Sequence, residues 1–117
     1  MGRTVLNVDV DGTLTNGELF WEQEPTPNKM VIDYVRKLYE SGKYTIIIWS
    51  ARRWTDTNKT VAWLIKYDVP FHGIYMQKGA TDLYIDDKAT LPTEKALKNL
   101  LENEMNLGAW MSKPDSV

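Results

Sequence analysis

The stretch Val5-Leu6-Asn7-Val8-Asp9-Val10-Asp11-Gly12-Thr13 decides the fold. It begins as a short apolar, β-branched run, which predicts a buried strand over residues 5–10 that ends at a polar turn at Asp11-Gly12. A second continuous apolar run, residues 45–49, is typical of a strand that is buried on both faces. Together the two runs predict the centre of a parallel sheet.

Weaker strand patterns at residues 72–76 and 82–86 extend this sheet. Three helical patterns accompany the strands: one capped by Thr26 with Pro27 and stopped by Gly42, one capped by Asp56 or Thr57 with Val61, Leu64 and Ile65 facing inward, and one over residues 92–106. Strands that alternate with helices predict a doubly wound, Rossmann-like α/β fold, a parallel sheet with helices on both faces.

Residues 13–27 break the alternation. They have no sustained period and are rich in Glu, Thr and Pro, which predicts a hairpin or flap after the first strand. We expect a single α/β domain over residues 1–111 and a flexible C-terminal tail over residues 112–117.

Composition excludes several classes of protein. The chain has 117 residues and no cysteine, which rules out a disulfide scaffold, a thiolate zinc site and a cysteine nucleophile. Fourteen basic and sixteen acidic residues give a net charge of -2, which disfavours a protein that coats nucleic acid. No signal peptide or membrane-spanning run is present in the sequence, so we expect a cytoplasmic protein with no membrane partner.

Acidic residues cluster at two predicted strand ends. Asp9 and Asp11 follow the first strand, and Asp86 and Asp87 follow the last. Ligands of open parallel sheets bind outside the carboxyl ends of the strands, where these side chains would converge. Because close carboxylates repel one another unless a cation lies between them, the cluster predicts a metal site, and all-oxygen ligands favour Mg²⁺.

Ser50 and Lys78 fall on the same predicted edge. Ser50 directly follows the central strand, and Lys78 lies in the connection before the last strand. A hydroxyl and an ammonium group beside a metal ion are the partners that the oxygens of a transferred phosphoryl group require. Alone, each residue would be an ordinary strand-end serine or surface lysine; their order and shared edge favour phosphoryl chemistry.

The ordered set Asp9-Val10-Asp11-Gly12-Thr13, Ser50, Lys78 and Asp86-Asp87 resembles the four motifs of the haloacid dehalogenase (HAD) superfamily. The match spans residues 5–88. Two further stretches, Trp49-Ser50-Ala51-Arg52 and Tyr84-Ile85-Asp86-Asp87-Lys88-Ala89, are similar to small phosphatase-like members of capsule and lipopolysaccharide biosynthesis.

The resemblance implies a role for each motif residue. Asp9 would be the nucleophile that forms an aspartyl-phosphate, and Asp11 the general acid and then the general base. Ser50 and Lys78 would hold phosphoryl oxygens. Mg²⁺ would be bound by Asp9, by the backbone carbonyl of Asp11 and by Asp86, with Asp87 as a further ligand, direct or through water.

The resemblance also implies an open site, since neither connection in which the superfamily inserts a cap domain is long enough to hold one. We expect Thr13 to orient the nucleophile, and we count it with the candidate substrate-binding residues Trp21, Arg52, Arg53 and Trp54. For Trp21 and Trp54, packing within the protein is an equal alternative. His72, the only histidine, has no second ligand at useful spacing and is expected to be structural.

Three functions are compatible with the sequence. The first is a Mg²⁺-dependent phosphomonoesterase acting on a phosphorylated metabolite, a nucleotide or a polymer end; a small substrate is favoured over a nucleic-acid end. The second is a non-catalytic protein that sequesters a phosphorylated or nucleotide ligand in the same site. The third, a phospho-acceptor receiver domain, is disfavoured because Lys78 precedes Asp86-Asp87. The sequence leaves homo-oligomerisation open.

Overall fold

A computed structural model describes residues 3–79, 83, 85 and 87–102 of the chain. Its regular elements, in chain order, are β1 (Thr4–Val8), α1 (Lys29–Glu40), β2 (Tyr44–Trp49), α2 (Thr57–Lys66), β3 (Gly73–Tyr75) and α3 (Glu94–Glu102). A short 3-10 turn, Trp54–Asp56, precedes α2. The alternation of strands and helices predicted over residues 4–75 is therefore confirmed.

The strands form a parallel sheet in the order β1-β2-β3. Val8 pairs with Ile48 and Ile48 with Ile74, so the strands end at a common edge. β2 is central, as its apolar run predicted. β1 lies at an edge of the described sheet, and Val5 is 59% exposed; the prediction of a buried first strand is wrong at this residue.

The apolar core lies on one face of the sheet. Ile46 and Ile48 of β2 pack there with α1, α2 and α3, represented by Val35, Leu64 and Leu97. Crossovers between parallel strands are right-handed as a rule, and two of them in the same direction put α1 and α2 on one side of the sheet, which accounts for the shared core of the described residues. The doubly wound arrangement stays a prediction, and the predicted strand over residues 82–86 lies largely outside the described residues.

The first residue of α1 differs from its prediction, whereas the predicted glycine stop after the helix is confirmed. Asn28, rather than Thr26, is the N-cap, and its side chain accepts a hydrogen bond from the Val31 N–H at 3.4 Å. Thr26 is used in the flap instead. Gly42 adopts a positive φ of 74° just after the helix, as a glycine stop requires.

The inward face of α2 differs from its prediction by one position. Leu64 and Trp63 are buried, but Ile65 is 70% exposed, so its predicted inward orientation is wrong. Successive residues of an α-helix are about 100° apart around its axis. When Thr60, Trp63 and Leu64 face the core, Ile65 therefore faces solvent. α3 is described only to Glu102; the predicted continuation to residue 106 and the predicted tail lie outside the described residues.

The segment between the first turn and α1 folds back as the predicted flap. Thr15 and Pro27 form an antiparallel bridge, and the Asn16 N–H donates to the Thr26 carbonyl at 3.0 Å. The Trp63 indole N–H of α2 donates to the Pro25 carbonyl at 2.9 Å. The flap is thus tied to itself at its base, and its returning half is tied to α2 at Pro25.

His72 makes structural contacts. Its Nδ1 lies 3.0 Å from the Ile46 N–H, and its ring stacks on Tyr39 with 4.4 Å between ring centroids. No helix in the described part of the chain is both long enough and apolar enough to cross a membrane.

Candidate functional site

Asp9 directly follows β1 and precedes a wide single turn, Val10–Leu14. The turn is closed by the Thr15 N–H, which donates to the Val10 carbonyl at 3.0 Å. Gly12 has a φ of 80° within it, a conformation that L side chains rarely adopt. The Asp9 Oδ1 accepts from the Val10 N–H at 2.9 Å, which fixes the carboxylate at the sheet edge.

Lys78 meets Asp9 at this edge. Its Nζ lies 3.1 Å from the Asp9 Oδ1, and its side chain is largely buried. Backbone bonds hold the lysine in place: the Lys78 N–H donates to the Ser50 carbonyl at 3.0 Å, and the Ser50 N–H donates to the Tyr75 carbonyl at 2.9 Å. The ends of β1, β2 and β3 therefore converge on one spot, which brings residues 9, 50 and 78 together.

Ser50 is completely buried in the structure. Its Oγ accepts from the Arg52 N–H at 3.1 Å, so the hydroxyl also shapes the turn after β2. This turn sends the Arg52 side chain back across the sheet edge towards Asp11.

Asp11 and Arg52 form a bidentate ion pair. The Arg52 Nε donates to the Asp11 Oδ2 at 2.9 Å, and Nη2 donates to Oδ1 at 2.7 Å. The side chain of Arg52 is 2% exposed and that of Asp11 is 38% exposed. Nη1 donates to the Thr60 Oγ1 at 3.1 Å, and the guanidinium lies 4.0 Å from the centre of the Phe20 ring. Arg52 thereby connects Asp11 to α2 and to the flap.

The remaining predicted substrate-binding residues lie in different surroundings. Thr13 is half-buried in the first turn, and Arg53 is exposed. Trp21 is 66% exposed at the tip of the flap. Trp54 packs edge-on against Tyr75 with 5.8 Å between ring centroids.

A cavity of about 400 Å³ opens between the flap and α2. Aromatic and charged side chains line it: Phe20, Trp21, Glu24, Arg52, Lys59, Trp63 and Lys66. Because Arg52 contributes to both, the cavity adjoins Asp11.

An ion-pair cluster stands at the rim of the cavity. Lys66 Nζ contacts both Glu24 carboxylate oxygens at 2.8–2.9 Å, and the Tyr67 hydroxyl donates to Glu24 at 2.7 Å. The hydrogen bond from Lys66 lowers the pKa of Glu24, and the same bond raises the pKa of Lys66. The bond to Glu24 also raises the pKa of the Tyr67 hydroxyl.

The side chains that hold Asp11 in place were not predicted from the sequence. Arg52 was assigned to substrate, whereas its guanidinium is occupied by Asp11 and Thr60. Thr60 and Trp63 are three residues apart, and α2 therefore presents both on one face, a spacing that could have indicated a shared inward role. No local pattern, however, pairs residue 11 with residue 52.

The predicted metal site is described only in part. Asp86 lies outside the described residues, and Asp87 is exposed. Among residues 3–79, 83, 85 and 87–102, no group of three or more acidic or histidine side chains is arranged around a common point. The donors that are described suit a hard cation, because the Asp9 carboxylate and the Asp11 backbone carbonyl both offer oxygen ligands at the end of β1.

Comparisons with known proteins agree with this architecture. The crystal structure of a protein from Vibrio cholerae, solved as an MCSG target, superposes with a TM-score of 0.64 and 28% identity, covering 86% of this chain and 98% of that one. A chain of the Pnkp1/Rnl/Hen1 complex superposes with a TM-score of 0.54 and 23% identity, covering 90% of this chain and 33% of that one; this likeness concerns the fold alone. A search of curated proteins found no match.

A family model described as the LNS2 domain of PITM 1-3 matches residues 6–112, which include every candidate catalytic residue of the sheet edge. The chain therefore belongs to the LNS2 domain family, whose fold is HAD-like.

Proposed function

We propose that this protein is a HAD-type, Mg²⁺-dependent phosphomonoesterase that works through an aspartyl-phosphate. The observation that carries the proposal is the contact between Asp9 and Lys78 beside Ser50 at the carboxyl edge of the sheet. A carboxylate held 3.1 Å from an ammonium group can attack a phosphorus atom whose oxygens the same cation neutralises.

In the first step, an oxygen of Asp9 forms a bond to phosphorus while the bond between phosphorus and the leaving oxygen breaks. The electron pair of that bond goes to the leaving oxygen, which takes a proton from the protonated form of Asp11 and departs as an alcohol; Asp11 is then the carboxylate that pairs with Arg52. Lys78 and the Ser50 hydroxyl hold phosphoryl oxygens during the transfer. Mg²⁺, when bound by Asp9, the Asp11 carbonyl and Asp86, with Asp87 as a further ligand, supplies positive charge that offsets the repulsion between carboxylate and phosphate.

In the second step, water attacks phosphorus, Asp11 accepts a proton from it, and the bond between Asp9 and phosphorus breaks to release phosphate. Each carboxylate oxygen has two lone pairs, so Asp11 can accept that proton while it is still bonded to Arg52. Arg52 acts through Asp11 as a positioning residue, because its guanidinium holds both carboxylate oxygens.

The substrate belongs to the class of phosphorylated metabolites, nucleotides or polymer ends, in a cytoplasmic setting. The short flap leaves the sheet edge accessible, which suits a substrate that no cap domain has to enclose. A place among the phosphatase-like proteins of capsule and lipopolysaccharide biosynthesis is part of this proposal, and it rests on residues 49–52 and 84–89 of the sequence.

The test compares phosphate release from p-nitrophenyl phosphate by the wild type and by Asp9→Asn, each with Mg²⁺ and with EDTA. Asp33→Asn is the matched control, because Asp33 is an exposed aspartate that pairs with Arg36 on α1. We expect activity in the wild type and in Asp33→Asn, only with Mg²⁺, and none in Asp9→Asn.

Equal rates for the wild type and Asp9→Asn would refute the nucleophile assignment. If no variant releases phosphate, calorimetry with phosphorylated ligands separates the alternatives: tight binding without turnover would identify a sequestering protein instead of a phosphatase.

A further inference from the structure

The cavity between the flap and α2 begins directly behind the proposed general acid. Arg52 bonds Asp11 through two nitrogens, and the other side of the guanidinium packs on Phe20, 4.0 Å from the ring centre. Phe20 is a wall of the cavity. Since Asp11 protonates the leaving oxygen in the proposed mechanism, a group attached to that oxygen that reached around Arg52 would enter this space.

The size of the cavity suits a small molecular group. A volume of about 400 Å³ lies at the lower end of the range of ligand pockets. The hydrogen bond from Trp63 to the Pro25 carbonyl and the ion pair from Lys66 to Glu24 fix the flap against α2. The cavity is therefore part of the folded structure and does not depend on a ligand to form.

The walls favour a flat, electron-rich group. Trp21 meets Phe20 edge-on, with 5.1 Å between the ring centroids and 80° between the ring planes, and remains 66% exposed. Lys59 Nζ lies 5.7 Å from the Phe20 ring centre. An aromatic ring that covers Trp21 removes apolar surface from water, and its π face is also attracted to the nearby cations.

The second exposed tryptophan has a different environment. Trp54 already packs against Tyr75, and Tyr75 stacks on Trp49 with 4.8 Å between ring centroids. Trp21 lines the cavity and Trp54 does not, although each tryptophan has one aromatic neighbour edge-on. Trp54 provides a matched control for Trp21.

We propose that the cavity between the flap and α2 binds the leaving group of the substrate and selects phosphomonoesters whose alcohol carries a flat aromatic ring. This inference rests on the proposed phosphatase function and adds the substrate class to it. Phe20 and Trp21 contact the ring of such a substrate.

The experiment compares benzyl phosphate with cyclohexylmethyl phosphate, which have the same number of carbon atoms and similar alkyl alcohols as leaving groups. We expect the wild type to show a kcat/KM about twofold to twelvefold higher for the benzyl ester, the range that one aromatic contact provides. Trp21→Leu should bring this ratio close to one, whereas Trp54→Leu should leave it unchanged. Trp21 is exposed, so its replacement is compatible with folding.

Calorimetry with benzylphosphonate and cyclohexylmethylphosphonate, which cannot be hydrolysed, separates this inference from the phosphatase function. Hydrolysis of both esters at equal rates, with equal affinity for both phosphonates, would overturn the ring site and leave the phosphatase standing. Failure to hydrolyse either ester, with tighter binding of benzylphosphonate that Trp21→Leu abolishes, would overturn the phosphatase and leave the ring site standing.

Discussion

Replacing Arg52 with methionine tests the buried connection between Asp11, α2 and the flap. The guanidinium makes two hydrogen bonds to Asp11 and one to Thr60, and it packs on Phe20. Methionine fills much of the same space with an apolar chain but removes all three hydrogen bonds. We expect a loss of stability together with a loss of phosphate release.

The structure sets the size of the stability loss. Removing one partner of a fully buried ion pair costs about 3–5 kcal/mol, because the other charge is left without a partner or water. Asp11 is 38% exposed and regains water, and the Thr60 hydroxyl keeps its bond to the Asp56 carbonyl. Both facts place the loss below that range, at about 2–3 kcal/mol, which is the contribution of one charge-assisted hydrogen bond.

Arg53→Met is the control, because Arg53 is the adjacent arginine in sequence and is exposed. Urea denaturation followed by tryptophan fluorescence measures the free energy of unfolding of each variant. We expect a change within about 0.5 kcal/mol for Arg53→Met. Equal stability of the two variants, or full phosphate release by Arg52→Met, would refute the structural role given to the pair.

Three further predictions concern the flap and the first turn. Trp63→Phe removes the indole donor to the flap carbonyl, and urea denaturation should show a loss of about 1–3 kcal/mol; an unchanged midpoint would contradict the flap anchor. Since Lys66 lowers the pKa of Glu24, this carboxylate stabilises the fold above its ordinary pKa of 4.5, and the stability is lost as the pH falls through the lowered value. The stability difference between wild type and Glu24→Gln should therefore disappear in acid; a constant difference across pH would exclude the ion pair as its source. Gly12→Ala places alanine at a φ of 80° with nothing near its Cβ and should cost about 1–2 kcal/mol, whereas Gly79→Ala, which has a similarly open Cβ position without a positive φ, should be nearly neutral in the same denaturation assay.

Local patterns were sufficient for most of the elements. The apolar run before Asp9 and the run before Ser50 each become strands of one parallel sheet, and the stop at Gly42 falls just after α1. These features depend on neighbours in sequence, since strand and helix periods and glycine conformations are local properties. The choice of Asn28 over Thr26 as helix cap was missed because Thr26 bonds Asn16 across the flap.

The sequence by itself determined the α/β alternation, the positions of Asp9 and Ser50 at strand ends and that of Lys78 in a connection at the same edge, because parallel strands that start in register finish at one edge. Only the tertiary structure decided that Arg52 bonds Asp11, 41 positions away, and that Trp63 anchors the flap. Such contacts join segments brought together by crossovers and sheet register, and the ends of these segments carry no periodic pattern. The physical reason is that a side chain's partner is set by which elements pack against it, whereas periodicity reports only which face of its own element it occupies.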